Sequence, residues 1–296
     1  MKIEIDRSAL LDRNGRLRRG LLYGLHRLAL MNYRLDWNPD DLTPDQRQLL
    51  EQDGLAPDRS ENSAEARLSF DTGSETLEIR ADDRQLADGE DWLEVTERLL
   101  FPRRETELTR KTAETDIQLR LALDGRGESR IDTGLKFFDH MLDQIARHGL
   151  IDLDITCRGD LEVDEHHTIE DVAIALGDAI YKLCGEDKTG VQRYGFLLAM
   201  DESQAEVALD LSNRPWLVWQ AEFNREYVGD FPLEMARHFF HTLAMHMRAT
   251  LHISVQGENE HHKLEAIFKA FAKALRFSVT RSERAAGLLP SSKGAL

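Results

Sequence analysis

One metal-ligand cassette is written twice in this chain, and the duplication limits the folds open to it. The first copy places His140 ahead of His166-His167-Thr168-Ile169-Glu170, and the second places His238 ahead of His261-His262-Lys263-Leu264-Glu265. In each, a His pair is followed three residues later by Glu. A lone His lies upstream, 26 residues before the first pair and 23 before the second. The flanks repeat too. Phe138-Asp139-His140-Met141-Leu142 matches Ala236-Arg237-His238-Phe239-Phe240, and Asp164-Glu165-His166-His167 matches Asn259-Glu260-His261-His262. A fold that serves both copies has two equivalent halves. Six histidines and two glutamates suggest two divalent ions related by an internal pseudo-twofold.

The residue types suit such ions. A His and a Glu three residues on lie on one side of a helix, about 5–6 Å apart at Cβ. Neutral imidazole and carboxylate favour a borderline ion such as Mn, Fe or Zn, and no Cys sits in either cassette to make a thiolate zinc site. Adjacent histidines point in different directions, so one pair can reach two metals. His148, His241, His246 and His252 fall outside the repeated pattern and read mostly as packing or supporting residues.

Composition narrows the class. Of 296 residues, 41% are apolar and 31% charged, enough to build the core of a globular protein of one or two domains. No apolar run approaches the 18 residues of a membrane span. Met1-Lys2-Ile3-Glu4-Ile5-Asp6 lacks a secretory apolar stretch, and Cys157 and Cys184 form no disulfide framework, so a reducing cytoplasm is expected. A formal charge of −16 argues against nucleic acid, though not against a small anion in a locally basic pocket.

Texture divides the chain at about residue 105. Residues 1–105 are polar, and Asp53 to Asp71 is rich in Pro, Ser, Asp, Glu and Gly. Residues 106–296 are tightly patterned. Alternation marks strands at Thr115–Leu123 and Ile151–Cys157, and helical periodicity marks Gly134–His148 and Thr168–Leu183. Strands follow at about 192–200, 205–211 and 215–223, then a helix at 231–247, a strand at 250–255 and a helix at 262–280. The order of elements repeats along with the cassettes, giving an α+β layer with helices on sheet. Each His pair falls at a helix entry, where side chains are rigidly placed.

These residues resemble the imidazoleglycerol-phosphate dehydratase family. The matching text includes Glu114-Thr115-Asp116-Ile117, Phe137-Phe138-Asp139-His140-Met141-Leu142, Asp164-Glu165-His166-His167-Thr168-Ile169-Glu170-Asp171 and Arg193-Tyr194-Gly195. It continues with Met200-Asp201-Glu202, Asp210-Leu211-Ser212-Asn213-Arg214-Pro215, Gly257-Glu258-Asn259-Glu260-His261-His262-Lys263 and Leu289-Pro290-Ser291-Ser292-Lys293-Gly294. Asn213 stands where Gly is common in the family, and Glu165 and Glu260 where Asp is common.

The resemblance implies two tandem repeats of a four-stranded sheet with paired helices (ribosomal protein S5 domain 2-like) over 106–296. It implies dehydration of D-erythro-imidazoleglycerol phosphate to imidazole-acetol phosphate in histidine biosynthesis, with two Mn²⁺ per active site holding the substrate imidazolate. It further implies a homo-oligomer, a 24-mer built from trimers, with active sites between subunits. The implied metal ligands are His140, His166, His167, Glu170, His238, His261, His262 and Glu265. Glu114 becomes the acid/base, with Gln144 and His148 contacting substrate or orienting ligands. Arg193, Arg214, Ser291 and Lys293 become the phosphate binders, Arg by forked hydrogen bonds and Lys as a point charge. The Pro-Ser-Ser-Lys-Gly tail is expected to order over bound substrate.

Residues 1–105 form a small N-terminal α/β segment. Ala9-Leu10-Leu11-Asp12-Arg13-Asn14-Gly15-Arg16-Leu17 resembles a worn form of the haloacid dehalogenase opening, LDxDGTL after a strand, as in histidinol-phosphate phosphatases fused to dehydratases. Asp12 takes the nucleophile position, but Asn14 replaces the general acid and Arg16 the Thr. An amide cannot donate and recover a proton, so a degenerate remnant without phosphatase activity is expected. Three other readings compete: a bifunctional dehydratase and phosphatase, a dinuclear metal hydrolase, and a non-catalytic metal-binding scaffold. The hydrolase leaves Glu114, the paired Arg residues and the Ser-Ser-Lys tail without a joint purpose, and against the scaffold the cassettes sit among several phosphate-capable residues.

Overall fold

The computed structural model describes residues 1–60, 62–184, 190–281 and Ser291. The chain divides into two compact units, Met1–Pro102 and Arg103–Leu296, each with its own apolar core.

The first unit contains β1 (Lys2–Ile5), α1 (Arg7–Leu10), α2 (Leu21–Leu30), β2 (Arg34–Trp37), α3 (Pro44–Gln52), β3 (Ala66–Asp71), β4 (Thr76–Ala81), β5 (Arg84–Gly89) and α4 (Trp92–Leu100). Its sheet runs β2-β1-β3-β4-β5, with β1 parallel to β2 and β3, and the β3-β4-β5 pairs antiparallel. Strand β3 lies inside the polar stretch 53–71. Only Ala66 and Leu68 of its six residues are fully buried, so it carries little apolar signal. Trp92 is fully buried and donates its indole N–H to the carbonyl of Ala9 at 2.8 Å, fixing α4 to the end of α1.

The segment Ala9–Leu17 is not the direct continuation of a strand, because α1 intervenes after β1 and a Leu11–Leu17 bridge closes a hairpin. Asp12 Oδ1 accepts from the N–H groups of Asn14 (2.8 Å) and Arg16 (2.9 Å), the usual turn-forming use of Asp.

The second unit is written in two matching halves. The first half is β6 (Glu105–Lys111), β7 (Thr115–Ala122), β8 (Ser129–Asp132), α5 (Lys136–Gly149), β9 (Asp152–Gly159) and α6 (His166–Cys184). The second is β10 (Tyr194–Met200), β11 (Ser203–Asp210), β12 (Trp216–Gln220), the short hairpin β13 (Tyr227–Val228) and β14 (Phe231–Pro232), α7 (Glu234–His246), β15 (Thr250–Gln256) and α8 (Glu260–Val279). The sheets run β6-β7-β9-β8 and β10-β11-β15-β12. In both, the first two pairings are antiparallel and the last is parallel.

Helix α5 packs against α8, and α6 against α7, so each close helix pair joins the two halves. Phe138, Phe239, Phe240, Phe268 and Phe271 are fully buried among them; Phe239 and Phe240 meet edge to face at 5.1 Å. α5 is capped by Leu150 in the left-handed region (φ 50), and Arg248, two residues after α7, adopts the same conformation (φ 52). Cys157 and Cys184 are both buried.

Candidate metal centre

Helix starts set the site. Asp164 Oδ1 accepts from the N–H of His166, and Asn259 Oδ1 from those of His261 and His262, so both His pairs belong to the first helical turn. Helices α6 and α8 therefore begin at or before the His pair. On these helices the first His of each pair lies four residues from the Glu and shares its face, while the second is turned aside. The lone His of each copy is the fifth residue of α5 or α7.

The ligands converge across the halves. His140 from α5 meets His261 and Glu265 from α8; His238 from α7 meets His166 and Glu170 from α6. Within each trio the candidate ligand atoms all lie within 4.8 Å of one another. Two ligands about 2.1 Å from one ion stand at most about 4.2 Å apart, so small side-chain shifts suffice to close on a cation. In the first cluster Glu265 Oε2 is 2.9 Å from His261 Nε2 and 3.5 Å from His140 Nε2. In the second, Glu170 Oε1 is 3.0 Å from His238 Nε2, and Oε2 is 3.7 Å from His166 Nε2. Two imidazoles and one carboxylate, with the imidazole edges reaching solvent, fit a borderline divalent ion with open coordination positions.

The clusters differ at their carboxylates. Glu265 is buried, and Lys269 Nζ stands 2.6 Å from it. Burial alone raises the Glu265 pKa, but hydrogen bonds from Lys269 and His261 outweigh it and hold the carboxyl ionised below its ordinary range. Glu170 is partly exposed.

His167 and His262 join neither cluster in one chain. His167 Nδ1 lies 3.1 and 3.2 Å from the two oxygens of Asp160, and its Nε2 is 3.6 Å from Glu114. His262 Nδ1 lies 2.8 Å from Glu202, and its Nε2 is 3.7 Å from Asp201. Each imidazole has Nδ1 fixed by one acid and Nε2 beside another acid on the β6–β7 or β10–β11 turn. A carboxylate on one ring nitrogen is the usual support for a histidine that binds metal through the other. The hydrogen bond to Asp160 raises the pKa of His167, and the hydrogen bond to Glu202 raises that of His262. The same bond pulls Glu202 down to about 2. Asp160 was not singled out from the sequence. Glu202 stood in a matching motif without a role, because nothing local pairs it with a histidine 60 residues on.

The other expected residues are dispersed. Gln144 is buried and donates to the His140 carbonyl, with its amide nitrogen 3.3 Å from His140 Nδ1. His148 lies near the end of the same helix, where burial and then the charges of Lys269 and Lys273 lower its pKa. Arg193 and Arg214 both reach Asp210, at 2.8 and 3.6 Å. Arg193 lines a shallow groove of about 320 Å³ with Tyr194, Ala208, Thr250 and His252. Ala208 and His252 alternate with the core residues Val207, Leu209, Leu251 and Ile253, so this groove lies on the sheet face opposite the helices. Within one chain the two arginines are not brought to the metal clusters. Ser291 is half-buried, and Lys293 lies outside the described residues. A second, larger cavity of about 990 Å³ opens beside His166 and His238, walled by Trp219, Phe223 and Tyr227.

Fold and site together define an α+β protein with two pseudo-symmetric His/His/Glu sites. The family profile described as Imidazoleglycerol-phosphate dehydratase matches residues 133–275. The chain resembles the crystal structure of imidazoleglycerol-phosphate dehydratase from Staphylococcus aureus, with 33% identity, 60% of this chain and 99% of that one covered, and a TM-score of 0.55. The enzyme from Pyrococcus furiosus, solved in complex with (S)-C348, is similar: 32% identity, 64% and 100% covered, TM-score 0.55. The chain belongs to the imidazoleglycerol-phosphate dehydratase family. Among curated proteins it is 55% identical over 206 residues to the histidine biosynthesis bifunctional protein HisB of Spirosoma linguale and 53% identical to that of Bacteroides fragilis. Each match covers 70% of this chain and 54% of the relative, so the chain spans about half the length of these relatives.

Proposed function

We propose that this chain dehydrates D-erythro-imidazoleglycerol phosphate to imidazole-acetol phosphate, a hydro-lyase step in L-histidine biosynthesis. The observation that carries the reading is the pair of matched clusters, His140/His261/Glu265 and His166/Glu170/His238. A substrate imidazole has two ring nitrogens, and a pair of cation sites answers both.

Manganese fits the donor set, with two ions per active site. When bound, the ions supply Lewis acidity to the substrate's ring. The chain's own residues do the rest. Asp160 and Glu202 hold His167 and His262 by Nδ1, which leaves Nε2 as each ring's remaining ligand atom. Those two nitrogens complete the ligand set of a neighbouring subunit, which accounts for their absence from the clusters of one chain. Glu114, beside His167 Nε2, serves as the acid/base for the C–H one carbon further from the ring, on the carbon that keeps its hydroxyl and becomes the ketone. Gln144 positions His140, and His148 lines the site from the same helix. Arg193, Arg214, Ser291 and Lys293 hold the phosphate, supplied to a site shared between subunits. The assembly is a homo-oligomer, a 24-mer in this reading, at work in the cytoplasm. No helix among the described residues is long and apolar enough to cross a membrane.

The test is ketone formation from imidazoleglycerol phosphate by chelator-stripped protein, with and without Mn²⁺. Turnover that returns only with metal supports the reading. A folded, metal-loaded protein without turnover rejects it. Release of phosphate from histidinol phosphate by the same preparation would instead favour the bifunctional alternative.

A further inference from the structure

Outside the dehydratase unit, the first unit holds a cavity of about 480 Å³ bordered by three arginines, Arg7, Arg13 and Arg18. In a chain of net charge −16 this local excess of positive charge stands out. The acids nearby offset only part of it, Asp12 by its charge beside Arg18. Asp12, the one carboxylate in the lining, gives Oδ1 to its own turn. Asp6 pairs with Arg67 at 3.0 Å, and Asp71 accepts from Ser74 at 2.7 Å. Arg18 is already set in place. Its Nε donates to the Ser8 carbonyl at 2.7 Å, and its guanidinium lies 3.6 Å over the Phe70 ring. A guanidinium held by stacking keeps its remaining N–H groups aimed without further loss of freedom.

The position is equally telling. The cavity lies where β1 and β3, two parallel strands, end: Arg7 and Ser8 follow β1, and Phe70 is near the end of β3. Ligands of sheets with parallel strands gather outside these carboxyl ends. Leu11 and Phe70 give the cavity an apolar wall beside the arginine fork, and its volume is within the range for a small organic ligand.

We propose that the first unit binds a small phosphate-bearing anion, as a phosphate monoester or free phosphate, between Arg7, Arg13 and Arg18, and does not turn it over. The forks of Arg match phosphate oxygens, and the Phe70 wall suits the organic part of a monoester. Binding without turnover follows from the lining's holding a single carboxylate, Asp12, with no second acid beside it to protonate a leaving group.

The experiment is calorimetric titration of the full chain carrying Arg193→Gln, Arg214→Gln, Ser291→Ala and Lys293→Gln, which removes the other phosphate-binding candidates. The probes are inorganic phosphate and phenyl phosphate at low salt. One saturable event per chain is expected. Arg13→Gln, on an exposed turn, should weaken it about tenfold, the worth of one charge-assisted contact. The triple Arg7→Gln/Arg13→Gln/Arg18→Gln variant should abolish it. Arg13→Gln leaves the Phe70 stack alone, so its effect cannot be blamed on misfolding. Tighter phenyl phosphate binding identifies a monoester site, and equal binding a free-phosphate site. The proposal is overturned by the absence of a saturable event or by one that none of these substitutions moves. Release of phosphate from phenyl phosphate that is lost in the triple variant would overturn the claim of binding without turnover.

Discussion

Gly177 sits in the middle of α6 where it meets α7, and replacing it with Ala tests how tightly the second cluster depends on that crossing. A Cβ at Gly177 would stand 2.6 Å from His246 Cβ, 3.1 Å from Leu243 O and 3.1 Å from Met247 N. Unstrained carbon contacts lie at about 3.5–4.0 Å. Two of the three neighbours are backbone and cannot rotate away, so α7 has to withdraw by about 1 Å. Alanine gains about 1 kcal/mol of helix propensity over glycine. Overpacking costs about 1–3 kcal/mol, and a backbone wall places this case toward the upper end. The expected net loss is about 1–2 kcal/mol, a Tm lower by about 2–8 °C. Gly149, at the end of α5, is the matched control. Its nearest neighbours are 3.6 Å away, so Gly149→Ala should leave stability equal or slightly raised. The same 1 Å shift separates Glu170 on α6 from His238 on α7, now 3.0 Å apart. Manganese binding followed by electron paramagnetic resonance should then show the His166/Glu170/His238 site weakened about tenfold or more, with the His140/His261/Glu265 site unchanged. A Gly177→Ala protein as stable as its parent, with both sites intact, would refute the reasoning.

Three further outcomes are expected. Asp160→Asn and Glu202→Gln, which loosen the supports of His167 and His262, should each lower manganese affinity by about 10–100-fold in the assembled protein; calorimetry with unchanged affinity in both would remove these histidines from the ligand set. Burial raises the Asp124 pKa, but the Arg104 fork at 2.6 and 3.0 Å lowers it further, to a net depression. That stabilisation is present above the unfolded carboxyl value of about 3.9 and is lost as pH falls through the folded value. Melting curves below pH 4 should therefore drop more steeply for the parent than for Asp124→Asn. Burial also pushes the Cys157 thiol up to about 11, so it should resist a thiol reagent at pH 8 until the protein unfolds; rapid labelling of the native chain would contradict its place in the core.

Elements that bury a regular apolar stripe were legible in the sequence. Phe138, Met141, Leu142 and Ile145 announce α5, and the alternation of Ile117, Leu119 and Leu121 announces β7. Strands with little to bury escaped. β6 has Thr106 as its one fully buried residue, β8 spans four residues and none is fully buried, and β13 and β14 span two each. Helices α6 and α8 start two residues before the apolar pattern does, at His166 and Glu260, because Asp164 and Asn259 cap turns whose side chains are polar. The donor types of the site were readable from the duplicated cassette. Which His joins which Glu was not, since that is decided by α5 packing on α8 and α6 on α7 rather than by spacing. Nor was the helical face: His166 and His261, four residues before their Glu, occupy the clusters, while the nearer His167 and His262 turn to Asp160 and Glu202.

Each cluster draws one ligand from one half of the second unit and two from the other, and this lacing has a mechanical consequence. An ion bound as proposed would stitch α5 to α8 or α6 to α7, so loading would cross the seam between the halves twice, once from each side. Neither half owns a complete site, and a chain severed between them would lose both together. By mass action, any ion that prefers the folded seam tightens it as RT ln(1 + [L]/Kd), about 2.7 kcal/mol at a hundredfold excess over Kd for each site. If the two clusters hold ions as proposed, the ion concentration would also set how firmly the two duplicated halves are held as one body.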